Sequence, residues 1–338
     1  MKNIFNFEFN KMPQIFFGAF FLSLALNTSV VFAQEKNLAE HLKDVQSYAD
    51  QKKYPEALQS IEAAFKLGGM KPESLGKAHD MAAYFAYQSK DYEKAISHQK
   101  KSIEHFSGKP QAESQLLLLA DSQVKLKDFD GYTTTLQQLV QFFPRKEYWS
   151  DLILRVSKKH QFSEAMQLEA FRLQREVGAL LEEADYIEMA LMSDKAGFPA
   201  EAFAIVKSGF DSQKLGVGPK SASHKQLKNS LEKKSVEDKK SLNTALEERA
   251  KKMTDGFALH NVGFNYALHG EMTKGLELME LAKSKPNKKS SEALLEYGLA
   301  AYWAGDIPKA RSIFSSISGP TGASELAKLW NIYLSQSK

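Results

Sequence analysis

One phrase comes back along this chain at a nearly fixed distance. A polar or glycine turn is followed by an apolar residue and, about three positions later, by a small one. It occurs as KKYPEA (52–57), KDYEKA (90–95), KDFDGY (127–132), HQFSEA (160–165), AGFPAEA (196–202), HGEMTKG (269–275) and AGDIPKA (304–310). The final positions, Ala57, Ala95, Tyr132, Ala165, Ala202, Gly275 and Ala310, are separated by 38, 37, 33, 37, 73 and 35 residues, and the 73 is two periods. A repeat of this length is one helical hairpin, which cannot bury its apolar face alone and so stacks on its neighbours. Period-2 runs rich in β-branched residues are missing, which argues against strands. The expected fold is all-α, a right-handed α-α superhelix (solenoid) of such hairpins.

The residues upstream agree. Gly263 lies twelve before Gly275, and Gly298 twelve before Ala310. Ala83, Ala120 and Ala190 hold the corresponding first-helix place in three other units, and Val45 and Ile153 in the remaining two. Two helices whose axes approach closely need Gly or Ala where they touch, with larger side chains filling the space between units. Ala57, Ala95, Ala165, Ala202, Gly263, Gly275, Gly298 and Ala310 are therefore assigned to repeat packing. Tyr132, Val45 and Ile153 are bulky for such a crossing, so the first, third and fourth units are expected to diverge in geometry. Pro55, Pro199 and Pro308 fall just inside second helices, where a missing N–H is harmless. Gly197, Gly270 and Gly305 close first helices, and Pro144 ends the run LQQLVQFF. The pattern in LHNVGFNYALHGEMTKGLELMELAK and LLEYGLAAYWAGDIPKARSIFSSI resembles the tetratricopeptide repeat.

The N-terminus reads as an export signal. Lys2 and Lys11 give a positive start, Ile15 to Leu26 an apolar run, and Val31-Phe32-Ala33 the small residues of a peptidase site. Residues 1–33 are expected to be a cleaved signal peptide; the alternative is an uncleaved anchor in the inner membrane. The chain of 338 residues has no cysteine, which removes lipid anchoring, disulfides and thiolate metal sites together. An exported chain without cysteine suits a bacterial periplasm, and no later segment is apolar enough for an integral span.

The doubled gap holds residues 211–254, expected as a lysine-rich helical insert. It carries eleven basic and six acidic residues in a chain whose formal net charge is +4. Lysine and glutamate interleave there, which favours a solvated helix pair replacing one degenerate repeat over a basic docking face. Nucleic acid is not an expected partner, since the segment has no interleaved aromatics. The organisation is then 34–210 as about five hairpins, 211–254 as the insert, and 255–338 as two further units with a capping helix. That last helix, GASELAKLWNIYLSQSK, sets Leu326, Leu329, Trp330 and Tyr333 on one face.

Enzyme signatures are not found. GVGP (216–219) lacks the rest of a phosphate loop, and DFDG (128–131) reaches Leu139 where a calcium loop needs Glu. His98 and His105 share a helical face two turns apart, too far for one metal without help from elsewhere. Glu182, Glu183, Asp185 and Glu188 are explained by a helix start. No catalytic residue, metal site or cofactor is expected, and function must come from surface. First-helix side chains not spent on packing are the candidates for a partner-binding groove: Tyr84, Tyr87, Phe257, His260, Phe264, Tyr302 and Trp303. Such aromatics either anchor a partner or pack between repeats.

A narrower resemblance covers about the C-terminal two thirds of the chain. The block from RKEYWSDLILRV to AFAIVKSGF (145–210), the lysine-rich insert and the ending ASELAKLW look like periplasmic tetratricopeptide-repeat proteins encoded beside TonB, ExbB and ExbD in Gram-negative bacteria. That resemblance implies a non-enzymatic scaffold, accessory to TonB-dependent outer-membrane transport, with TonB/ExbB/ExbD-type partners. The alternative is a periplasmic chaperone or carrier holding apolar or peptide cargo in the groove.

Overall fold

The computed structural model describes residues 36–287 and 290–336, all helix and connecting turn, with no strand among them. The expected signal peptide lies outside the described residues. The chain falls into two compact units that divide between Pro144 and Arg145. This differs from the organisation expected from the sequence, in which one array ran unbroken from 34 to 210.

Unit 1 holds α1 (Leu38–Asp50), α2 (Tyr54–Leu67), α3 (Pro72–Gln88), α4 (Tyr92–His105), α5 (Glu113–Lys125) and α6 (Phe129–Phe142). Each helix packs on the next, giving three hairpins in series. Val45, Ile61, Ala82, Phe85, Ala95 and Leu118 share one core, so neighbouring hairpins bury each other's apolar faces.

Unit 2 begins with α7 (Lys146–Lys159), α8 (Glu164–Glu176), α9 (Glu183–Lys195) and α10 (Pro199–Asp211). The lysine-rich segment forms α11 (Ser221–Ser241) and α12 (Thr244–Lys251). The unit continues through α13 (Phe257–Leu268), α14 (Met272–Lys283), α15 (Ser290–Trp303), α16 (Ile307–Ser316) and α17 (Gly322–Gln336). The segment fills the doubled gap with two helices: Leu231 of α11 is buried with Met189 and Ile205, and α12 packs on α13. Two of its lysines pair with acids of α9, Lys220 with Glu183 at 2.8 Å and Lys234 with Asp194 at 2.5 Å.

Seven turns share one local geometry, and it accounts for the sequence period. A residue with positive φ stands at Lys52, Lys90, Lys127, Gln161, Gly197, Gly270 and Gly305. The N–H of the residue after it bonds back to the first helix, as from Asp91 to the Ala86 carbonyl at 2.9 Å and from Asp306 to that of Ala301 at 3.0 Å. This is the C-terminal cap that satisfies orphan carbonyls. Asp91, Asp128 and Asp306 then cap the second helices, each accepting from the backbone N–H three residues on. Asp185 likewise accepts from the Leu181 and Glu182 N–H groups ahead of α9.

Unit 2 differs from unit 1 in how it ends. α17 returns to pack on α7 and α8, and α15 also packs on α8. Tyr333 donates to the Glu176 carbonyl at 3.1 Å, and its ring meets Trp149 edge-on at 6.5 Å. Gly322 sits so close to Phe162 that a Cβ would lie 2.2 Å from the ring. The expected capping helix thus does more than cover the last hairpin, because it also docks on the unit's first one.

Candidate functional site

Four helices of unit 2 converge on a buried guanidinium. Arg172 of α8 is 1% exposed. Its Nε and Nη2 donate to the two oxygens of Glu201 on α10 at 2.9 and 2.8 Å, and Nη1 donates to Glu296 Oε1 on α15 at 2.7 Å. Nη1 also donates to Glu169 on α8. Glu296 Oε2 meets His260 Nε2 on α13 at 2.7 Å. The guanidinium lies 4.7 Å from the Phe264 ring centre and 5.3 Å from that of Phe198, so its flat faces are covered by aromatics while its edge is taken by carboxylates.

The charges do not balance, and the protons adjust. Burial pushes the Glu169 carboxyl well above the usual carboxylate range; Arg172 offsets only part of that, and Glu296 and Glu201 push the same way. Burial alone would raise Glu296 as well, but Arg172 and the His260 hydrogen bond outweigh it and hold that carboxyl low. Arg172 itself is raised, since its three carboxylates overcome the burial cost.

Against this frame the groove residues expected from the sequence separate. Phe257 is 42% exposed, whereas His260 is 4% and Phe264 0% exposed. His260 and Phe264 are corrected from groove lining to interior, because α10 and α15 pack on α13 and bring Phe198, Trp303, Glu296 and the Arg172 guanidinium against them. Trp303 is half-buried and donates from its indole to Glu176 Oε1 at 3.1 Å, stacked on Phe264 with ring centres 5.9 Å apart. Tyr302 is half-buried, its hydroxyl 3.0 Å from that of Tyr333. In unit 1, Tyr84 is half-buried edge-on to Tyr54 at 5.8 Å, and burial, then the Tyr54 contact, push its hydroxyl up to about 12. Tyr87 donates to Asp121 Oδ2 at 2.7 Å.

The packing positions separate too. Gly263 and Gly275 face one another across α13 and α14. A Cβ at Gly263 would lie 2.8 Å from the Gly275 carbonyl oxygen, and one at Gly275 2.6 Å from that of Gly263. At Gly298 the obstacle would be the Phe314 ring, 2.5 Å away. Ala57, Ala95, Ala202 and Ala310 are fully buried. Ala165 is the exception: it stands four residues after the positive-φ Gln161 where the others stand five after theirs, and the turn also takes one extra residue before the Ser163 cap, so Gln167 N–H makes the first intrahelical bond. Ala165 is therefore shifted off the crossing and is only half-buried. Val45, Tyr132 and Ile153 are buried to 1% exposure or less, so their bulk is absorbed by the neighbouring helices.

Beside the Arg172 cluster a cleft of about 110 Å³ opens to solvent, walled by Ala165, Glu169, Phe198, Phe257, His260 and Glu296 among others. Small-molecule sites usually measure about 300–1,000 Å³, so this one has room for little more than a side chain. Its lining contains no Ser, Thr, Cys or Lys, which leaves no hydroxyl, thiol or amine nucleophile beside the carboxyls. A larger open depression of about 460 Å³ lies on α14 and α16 between Leu276, Glu280 and Lys309. Among the described residues no group of three or more His, Cys, Asp or Glu side chains is arranged to hold a metal ion, and no helix is long and apolar enough to cross a membrane.

With this geometry in hand, comparison with known proteins gives one local match. A tetratricopeptide-repeat family model matches residues 116–145, which span most of α5 and all of α6. That is the third hairpin of unit 1, which is thus similar to a tetratricopeptide repeat in sequence as well as in its paired helices. Similar solved structures include a tetratricopeptide repeat protein from Parabacteroides merdae, 12% identical over 86% of this chain and 98% of that one, with TM-score 0.32. Another is Naa15/Naa10 bound to HypK-THB, 13% identical over 86% of this chain and 53% of that one, TM-score 0.32. A third is the P58(IPK) TPR domain, 11% identical over 89% and 99%, TM-score 0.25. No curated protein sequence matches the chain.

Of the Arg172 cluster only His260, with Phe264 over the guanidinium, was singled out from the sequence, and as groove lining; Arg172 and its three carboxylates were not. A signal was available: FALHNVGFNYAL and ALLEYGLAAYW are apolar almost all round, and a helix of that kind is buried on all sides. Aromatics on such helices belong to a core, and a lone acid such as Glu296 within one needs a buried cation.

Proposed function

We propose that this chain is a protein-interaction scaffold of the bacterial periplasm, without catalytic activity of its own, accessory to TonB-dependent transport. Three observations support the reading. The fold is a series of helical hairpins of which the third matches a tetratricopeptide repeat, the cleft beside Arg172 has the size of one side chain, and its lining offers no hydroxyl, thiol or amine nucleophile. The cleft carries most weight, because Phe257 is exposed at it while its other walls are fixed by the charge cluster, an arrangement suited to receiving one anchor from a partner. The export signal and the TonB association rest on the sequence patterns at 15–33 and 145–210. A carrier of apolar cargo would need a roomy apolar cavity, and the depression of about 460 Å³ is open and bordered by Glu277, Glu280 and Lys309, which favours the scaffold.

The test is in-cell cross-linking with mass spectrometry, comparing the full chain with its Phe257→Glu variant. The expected result is an envelope partner whose recovery falls at least about tenfold in the variant, with an unchanged melting temperature. A partner set unaffected by Phe257→Glu would remove the cleft from the reading. Fractionation that leaves the protein in the cytoplasm, with its N-terminus intact, would remove the periplasmic part.

A further inference from the structure

The sequence left His98 and His105 two turns apart with no common ligand. The fold of unit 1 supplies a third histidine from the preceding helix. His79 of α3 and His98 of α4 are each 7% exposed, and their Nδ1 atoms stand 3.0 Å apart. On its far side His98 Nε2 faces Glu62 Oε1 of α2 at 3.4 Å, and Glu62 also holds Lys94 at 3.0 Å. Phe65 stacks on His79 with ring centres 4.2 Å apart. The exposed His105 ring lies parallel to His79 at 5.6 Å and marks the solvent side.

We propose that His79 and His98 form a two-histidine site for a divalent transition-metal ion, with Glu62 as the outer carboxylate that orients His98. Two features carry this. First, metal–imidazole bonds of about 2.0–2.1 Å put two nitrogens about 2.9 Å apart in a square arrangement and about 3.3 Å apart in a tetrahedral one. The observed 3.0 Å lies between them; with ring centres 5.2 Å apart the two nitrogens face nearly head-on, so an ion enters as the rings tilt toward a common point. Second, a metal-binding histidine usually donates its other N–H to a carboxylate, which fixes the tautomer and raises its basicity, and Glu62 stands where that requires.

The resting pair makes one N–H···N hydrogen bond. With His98 protonated on Nε2 toward Glu62, His79 donates from Nδ1. Moving that proton to His79 Nε2 frees the second lone pair, so metal entry changes no net charge on the protein. Two protein ligands leave the remaining positions to water, which predicts exchangeable binding and not a structural clamp. Lys94 and Lys101 oppose the incoming charge, and Glu62 is the carboxylate that answers it.

The experiment is calorimetric titration of the untagged full chain at neutral pH with Zn²⁺ alone and then with Cu²⁺ alone. One equivalent of Zn²⁺ is expected to bind, and Cu²⁺ more tightly. His79→Gln and His98→Gln should each abolish that site, Glu62→Gln should weaken it about 10- to 100-fold, and His160→Gln should leave it unchanged. No saturable uptake by the wild type up to about 1 mM Zn²⁺, or uptake that survives the double His79→Gln/His98→Gln variant, overturns the proposal. Should those variants misfold, ¹⁵N spectra of the wild-type histidine rings decide. Zn²⁺ shifts at the Nδ1 atoms of His79 and His98 support the site, and shifts confined to other histidines overturn it.

Discussion

At the scale of single residues, the reciprocal approach of Gly263 and Gly275 is the tightest feature of unit 2. Each stands against the other's backbone carbonyl, which cannot swing aside as a side chain can. Gly263→Ala should therefore destabilise unit 2 by about 1–3 kcal/mol, the usual range for overpacking. Gly270→Ala, open around its Cβ but at φ 86, should cost only the left-handed penalty of about 1–2 kcal/mol. Urea unfolding of the two variants checks the order, and a neutral Gly263→Ala would contradict the close crossing. Small residues at these places were legible in the sequence because a twelve-residue offset carries one helix back past the other. Ala165 misled for an equally local reason: the turn at Gln161 and Phe162 holds one extra residue, and HQFSEA shows no glycine or proline to mark it.

At the scale of helices, α8, α10, α13 and α15 are tied by one cation and three acids, and pH reads the tie. Glu169 has a folded-state pKa raised above its ordinary value near 4.5. Above that value the unfolded chain loses the proton while the folded one retains it, so stability falls as pH rises toward the raised pKa. Glu169→Gln mimics the protonated group and should escape this loss. Its melting temperature relative to wild type should rise steadily from about pH 4.5 upward, and a pH-independent difference would show that Glu169 is ionised in the folded protein. Glu296 works in the opposite sense: its lowered pKa supplies stability above about pH 4.5 that disappears as acid protonates it in the folded state. In the sequence Glu169, Arg172 and Glu201 look like ordinary solvated charges, and only Glu296, a lone acid in a helix apolar almost all round, pointed to burial. Only the long-range approach of α15 to α8, over 124 positions between Arg172 and Glu296, turns them into a core.

At the scale of the molecule, the all-helical character of the chain could be read from the period. The division at Pro144 and Arg145 could not, since Pro144 reads only as the end of one more helix. Nor could the return of α17, because an amphipathic helix announces that it has a buried face without saying against what. Deleting residues 319–338 would expose the partners of Leu326, Leu329, Trp330 and Leu334, all buried. At about 1.5–3 kcal/mol for each large side chain, the loss rivals the whole stability of a domain. The truncated chain should therefore lose the cooperative unfolding of unit 2 in calorimetry, while the transition of unit 1 persists. A surviving unit 2 transition would show that its first hairpins stand without the last helix. The same closure sets what duplication can do. An extra hairpin spliced into unit 1 meets only the two neighbours it is inserted between, whereas one spliced into unit 2 would push Tyr333 away from Glu176 and pry the ring apart. Growth by copying is open to the first half of this chain and shut to the second.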